Sequence, residues 1–301
     1  MKAMQLHGYG GVDQLRYEDV PTPAPGPGEV LVRVAATSVN PIDWKIRKGY
    51  LKDVMPLQFP VILGRDVAGE VVETGANVTQ WKRGQKAMGF VSRSYAEFLT
   101  AASDALTPVP EGLDLEQAGV LPLVTTTGSQ LIERIQPKRG DTLLVTGALG
   151  SVGRTAVYQA KQLGARVIAG VRARQKKDAE SLGAGQIVAI DNDQEIESLP
   201  QLDAIADTVN HDVIGKLIPK LKRGGVLGSV AGQPKGAEGT GIRVVAFMAQ
   251  PDPAHLLQLA EAARDGKLII PIVRKFKLSE AGQAQTLSEQ GSVDGKIVLV
   301  P

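Results

Sequence analysis

Between Asp141 and Gly164 the chain passes from a short apolar segment through a glycine turn into an amphipathic stretch. Residues 142–146 are apolar and branched, and they predict a buried strand. Gly147, Gly150 and Gly153 then form G-x-x-G-x-x-G. Ala156, Val157, Ala160 and Leu163 fall on one helical face, joined by Val152 one turn earlier, and Gly164 is a natural stop. Strands are predicted again over 166–171, 186–190, 202–206 and 225–230, with helices over 177–182 and 213–221. Such alternation predicts an α/β fold with a parallel sheet covered by helices on both faces.

The first 118 residues read differently. Residues 21–28 carry four prolines and form a connector. The alternation over 29–35 predicts a half-buried strand, 66–73 a second β region and 94–99 a short strand, with punctuation at 108–112. Helical periodicity begins near Leu115 and continues to 135 with Gly and Pro interruptions. Residues 232–241 form a glycine-rich loop, 253–264 a helix, and 269–278 and 296–300 return to β character.

Composition narrows the chemistry. The chain has 301 residues, room for two cores, with 43% hydrophobic and 22% charged residues. A net charge of +2 with mixed signs points to neither nucleic acid nor an acidic membrane surface. No cysteine is present, which removes disulfides, thiolate metal ligands and a cysteine nucleophile together. Neither a secretory signal pattern nor a membrane-length apolar run is evident, so a soluble cytoplasmic protein is expected.

A strand–glycine turn–helix unit is the setting in which such glycines bind a dinucleotide. The first permits the tight turn, the middle one admits the pyrophosphate to backbone N–H groups, and the third lets helix pack on strand. Cofactor contacts are thus expected at Gly147, Gly150, Ser151, Val152 and Gly153, at the positive end of the helix dipole. Arg154 either adds charge there or is a solvated surface residue. About twenty residues after the glycines, NAD-binding chains usually place a carboxylate for the ribose hydroxyls. Here Arg172, Arg174, Lys176 and Lys177 follow the second strand instead. Arginine binds a phosphate bidentately, so NADPH is expected, with Arg172 and Arg174 as the contacts.

Further residues carry a resemblance. They are Ser38-Val-Asn-Pro-Ile-Asp-Trp-Lys45 with Gly49, Pro60-Val-Ile-Leu-Gly-Arg-Asp-Val-Ala-Gly69, Tyr95-Ala-Glu-Phe98, Leu121-Pro-Leu-Val-Thr-Thr126, Leu182-Gly-Ala184 and Gly295-Lys-Ile-Val-Leu299. In this order, with the glycine turn, they resemble the medium-chain dehydrogenase/reductase superfamily in its zinc-free quinone oxidoreductase and enone reductase branch. The resemblance implies a GroES-like β-rich catalytic domain over 1–118, a Rossmann domain over 119–264 and a return to the catalytic domain over 265–301. Zinc relatives place a ligand cysteine where Asn40 stands and a ligand histidine where Arg65 stands. Asn40 is a poor zinc ligand and Arg65 repels the ion, so no metal is expected. Ile42 replaces the hydroxyl residue that relays the alcohol proton in those enzymes.

A metal-free site must polarise a carbonyl through hydrogen bonds, which suits a conjugated acceptor. Asn40 and Tyr50 are the candidate donors, although Tyr50 fits a packed loop tyrosine equally well. Arg65 either helps an oxyanion or pairs with Asp43 or Asp66. Trp44 and Met55 fill core or pocket wall. The resemblance further implies that Thr126 lies near the nicotinamide, Asp207-Thr208-Val209 by the adenosine, and Gly232 and Phe247 beside the nicotinamide. Asn192 stands where relatives often carry a phosphate-binding tyrosine. His7, His211 and His255 have no partners at ligand spacing. The expected activity is NADPH-dependent reduction of a quinone or an α,β-unsaturated ketone or aldehyde. The rivals are reduction of a simple carbonyl and a non-catalytic NADPH-binding sensor. The family also suggests a homodimer, with residues 242–247 as an edge that extends the sheet.

Overall fold

The structure is a computed structural model that describes residues 1–209, 213–230, 232–234, 236–291 and 293–301; His211 lies outside them. The chain divides into two compact units, Met1–Leu123 with Pro251–Pro301, and Val124–Gln250.

In the second unit, six parallel strands stand in the order Gln186–Ala189, Arg166–Val171, Thr142–Thr146, Leu202–Asp207, Leu221–Ser229, Arg243–Ala246. Sequence order reverses beside the unit's first strand in sequence, Thr142–Thr146, as in a doubly wound dinucleotide fold. Alternation along that strand divides the core. Leu143 and Val145 join Ala156, Val157, Ala160, Leu131 and Ile135 on one face. Leu144 joins Ile196, Leu199, Ile214 and Leu217 on the other. Burial on both faces explains why the strand reads as an unbroken apolar run. The anticipated helix over 213–221 is shorter: Val213–Leu217 is followed by a tight turn, and the strand already begins at Leu221.

The first unit holds a sheet of seven strands and another of three. The long strand Glu29–Val39 pairs with Asp66–Thr74 and Phe98–Ala102. At its far end it pairs with Lys296–Val300, bringing the last strand into the middle of the sheet. Helix Pro41–Arg47 follows directly, with Pro41 at its first position, where a missing N–H costs nothing. It packs on helix Ala281–Glu289. Arg47 is buried there, donating to Gln285 Oε1 (2.8 Å), Gly10 O (2.7 Å) and Glu289 (3.0 Å).

Three expectations need correction. Helix Pro253–Arg264 belongs to the first unit, where it lies against strand Leu106–Pro108, so the second unit is shorter than 119–264. Its periodicity marks an apolar face but not that face's partner. The strand anticipated over 94–99 begins at Phe98, with a single bridge at Ala96 before it. Ala281–Glu289 was not anticipated as a helix, because Gly282, Gln283 and Gln285 dilute its apolar stripe. Among the described residues, no helix is long and apolar enough to cross a membrane.

Candidate active site

The second unit carries a cradle made of backbone. Gly147 has φ of 62°, and a Cβ there would meet Val209 at 2.5 Å. At Gly153 a Cβ would collide with the Gly147 carbonyl oxygen. A side chain is therefore excluded at Gly153 by backbone and strained at Gly147 by the left-handed turn. Helix Ser151–Gln162 begins at Gly150 with no side-chain cap, leaving its positive end open to an anion. The Ser151 hydroxyl is buried without a partner in this first turn, and so is the Thr126 hydroxyl on helix Pro122–Ile135. An uncapped helix end, two orphaned hydroxyls and a floor closed to Cβ atoms fit a nicotinamide dinucleotide. Arg154 does not simply face solvent: its Nε donates to Leu149 O (2.9 Å) and braces the turn.

Asp207 is placed differently from the expectation that it touches the cofactor. It is fully buried and accepts from the Thr146 hydroxyl (2.9 Å), the Ser229 hydroxyl (2.9 Å) and the Val209 N–H (3.1 Å). Its carboxylate staples the ends of three adjacent strands beneath the glycine turn. Gly232 has φ of 120°, and Phe247 lies under the Arg134 guanidinium, 4.6 Å from its ring centre.

Arg172 and Arg174 are exposed at the end of strand Arg166–Val171. Two side chains shape their turn. Gln175 Oε1 accepts from Arg172 N–H (3.0 Å), and Asp191 accepts from Ala173 N–H (2.8 Å). Asp191 was not anticipated beside the arginines, because it comes from the end of the next strand. Lys176 is held by Glu195 at 2.9 and 3.0 Å, so it belongs to the scaffold. Asn192 caps helix Asp193–Glu197 by accepting from Gln194 and Glu195 N–H groups, which explains an amide where a tyrosine was expected.

The first unit carries a closed polar cluster. Asn40, 1% exposed, ends strand Glu29–Val39 and starts helix Pro41–Arg47. Its Nδ2 donates to Asp66 (2.7 Å), and its Oδ1 accepts from the Lys296 ammonium (2.6 Å). Lys296 also donates to Val39 O (3.2 Å) and lies 3.6 Å from Asp66. Asp66 further accepts from the Ser38 hydroxyl and from Leu123 N–H (2.7 Å). Asp43 accepts from Asn40 N–H (2.8 Å) and from the Tyr95 hydroxyl (2.9 Å), while its other oxygen has no partner. Burial pushes the Asp43 carboxyl up to about 6, against the two bonds that favour its charge. Burial, then the Asp43 charge, raises Tyr95 well above its usual value. Lys296 is lowered by burial, opposed by Asp66 and Asp43.

Asn40 is thus engaged at both ends and closed to solvent, not poised as a free donor. Tyr50 is 66% exposed, its ring edge-on to Trp44 at 6.2 Å, so it is not a packed loop tyrosine. Arg65 donates to Ser92 (3.2 Å), making its closest bond to neither Asp43 nor Asp66. Among the described residues, no three His, Asp or Glu side chains converge as metal ligands. His7 faces Glu18 (2.9 Å), and His255 lies in the first turn of helix Pro253–Arg264. Lys296 is the residue sequence reasoning overlooked. Its one signal was a cation opening an otherwise apolar strand, Lys296–Val300.

This arrangement of folds is shared with known proteins. Residues 26–111 match the family described as Alcohol dehydrogenase GroES-like domain, and 182–299 the one described as Zinc-binding dehydrogenase. The chain is 30% identical to a chloroplast envelope quinone oxidoreductase homolog of Arabidopsis thaliana, covering 100% of this chain and 98% of that one. It is 31% identical to a chloroplastic NADPH-dependent alkenal/one oxidoreductase of the same plant, covering 100% and 80%. A quinone oxidoreductase structure from Coxiella burnetii superposes with a TM-score of 0.91 at 33% identity, covering 100% and 99%. The chain belongs to the medium-chain dehydrogenase/reductase superfamily, and it is an oxidoreductase of the kind that uses a nicotinamide cofactor. Both plant relatives are named for the chloroplast or its envelope, so the cytoplasmic expectation draws no support from them.

Proposed function

We propose that the protein is an NADPH-dependent reductase of quinones or α,β-unsaturated ketones and aldehydes. The observation that carries this reading is the clamp on Asn40. The side chain standing where zinc relatives have a ligand is held between an ammonium and a carboxylate. A cation cannot share that position with Lys296, and an acceptor that needs a Lewis acid is disfavoured. A conjugated acceptor needs less help, because its oxygen gains charge only as the double bond shifts.

When bound, the nicotinamide dinucleotide supplies a hydride. The glycine turn and the open end of helix Ser151–Gln162 hold its pyrophosphate, and the Ser151 and Thr126 hydroxyls gain partners. Arg172 and Arg174 receive the additional phosphate that distinguishes NADPH. The acceptor takes up the hydride at carbon and a proton at the oxygen-bearing end, so each turnover consumes one NADPH and one proton. Tyr50 offers the exposed hydroxyl for the acceptor oxygen, while Asn40 belongs to the buried cluster that sets the local charge. Two copies joining at the outer strand Arg243–Ala246, which ends the sheet, would form the expected homodimer.

The test follows loss of nicotinamide absorbance with 1,4-naphthoquinone and trans-2-hexenal, using NADPH and NADH in parallel. Acceptor-dependent oxidation with NADPH preferred at least ~10-fold is expected from one charge-assisted phosphate contact. Tight NADPH binding without turnover on either acceptor overturns the reading in favour of a sensor. Equal use of NADH overturns the arginine assignment.

A further inference from the structure

The cluster around Lys296 poses an electrostatic problem for a reductase. Asp43 and Asp66 are two buried carboxyl groups flanking Asn40. A reaction that builds negative charge on an acceptor oxygen is opposed by carboxylates in a low-dielectric surrounding. Among the described residues, the buried cation in contact with this cluster is Lys296, 4% exposed, with its ammonium on Asn40 Oδ1, Val39 O and Asp66. Arg65 also faces Asp43 electrostatically, but its guanidinium is turned to Ser92 at the surface, where solvent screens it.

Lys296 also decides how Asn40 is oriented. An amide turned end for end would set its NH2 against the ammonium and its oxygen against the Asp66 carboxylate. Without the Lys296 charge, the amide would be held only through its NH2, by Asp66 and two longer bonds to Ser38, and the cluster would carry uncompensated negative charge. A purely structural requirement at this point in a sheet is normally met by an apolar residue, as at Ile297, Val298 and Leu299 beside it.

We propose that Lys296 is a positioning residue for the reduction: its fixed positive charge orients Asn40 and offsets the buried carboxylates, so that charge developing on the acceptor is tolerated. This rests on the reductase reading given above. It predicts an effect on turnover rather than on cofactor affinity, since the Lys296 ammonium contacts Asn40, Val39 and Asp66, none of which is assigned to the cofactor.

The absence of any other cysteine makes a direct test possible. Lys296→Cys is unfolded, alkylated and refolded, with bromoethylamine restoring an ammonium at nearly the lysine position and propyl bromide giving a neutral group of matching shape. NADPH affinity is read by its fluorescence, and kcat and KM are read with 1,4-naphthoquinone. The aminoethyl protein is expected within ~3-fold of the wild-type kcat and the propyl protein ~100-fold below it. NADPH affinity should change less than ~2-fold in both. Equal kcat for the two adducts overturns the proposal, as does failure of the aminoethyl adduct to recover turnover once refolded. If the propyl adduct does not refold, Lys296→Arg decides: kcat within ~10-fold of wild type supports a role for charge, and a loss near that of Lys296→Met overturns it. Wild-type protein that binds NADPH but oxidises it with neither acceptor overturns the reductase reading, and this proposal with it.

Discussion

Two polar sites, the glycine cradle of one unit and the Lys296 cluster of the other, are satisfied to different degrees. In Val124–Gln250 the candidate site is left unsatisfied: a helix end without a side-chain cap and buried hydroxyls on Ser151 and Thr126 that lack partners. In the first unit nearly every polar atom of the cluster is already bonded, Asn40 at both ends and Asp66 by three donors besides its ion pair. A buried unsatisfied group costs about 1–3 kcal/mol, a cost that a ligand can relieve. The open set therefore reads as a binding surface, and the closed set as fixed electrostatics around the chemistry.

The sharpest way to break this contrast is at its two extremes. Gly153→Val places side-chain atoms into the Gly147 carbonyl and should weaken NADPH binding at least ~100-fold, measured by fluorescence titration. Retained affinity would mean the cradle is not the binding surface. In the closed set, Asp66→Ala strips Lys296, Asn40 and Leu123 of an acceptor. It should lower stability by about 3–5 kcal/mol in denaturant unfolding, independently of added NADPH concentration.

Those two sites were not equally legible. Strand Thr142–Thr146, the glycine turn and the following helix are contiguous, and each announces itself through local periodicity. The strand, the glycine turn and the helix could be placed from the sequence with their residue numbers. Asp207 was placed by the adenosine on the family resemblance, and local pattern does not reveal that its oxygens accept from Thr146, Ser229 and Val209. The closed cluster was scarcely visible. Asn40 and Lys296 are 256 positions apart in the chain, and no local pattern couples them. Asp191 escaped notice for the same reason, 18 positions from Ala173.

A smaller effect refines the comparison. Asp43 binds its proton more tightly folded, at about 6, than unfolded near 3.8. It therefore stabilises the fold fully below pH ~3.8, and that contribution is lost as pH rises through about 6, by roughly 2–3 kcal/mol in all. Asp43→Asn, which keeps an acceptor for Asn40 and Tyr95, should flatten the stability change between these pH values in urea unfolding. An unchanged pH profile would show that Asp43 is not closed off as described. In the open set, Arg174→Ala should raise the Kd for NADPH about 10-fold and leave that for NADH unaltered. An equal change for both cofactors would remove the phosphate assignment.

The place of strand Lys296–Val300 has a consequence for synthesis. It lies between Ile272–Lys277 and Glu29–Val39, so the sheet of the first unit cannot close until residues 296–300 have been synthesised. The segment Val124–Gln250 is continuous and has all its strands earlier. A nascent chain would thus complete the dinucleotide fold first, while the Thr37–Val39 end of the long strand waits with its edge unpaired. The Lys296 ammonium arrives with that closing strand, so the buried cluster cannot assemble before it does.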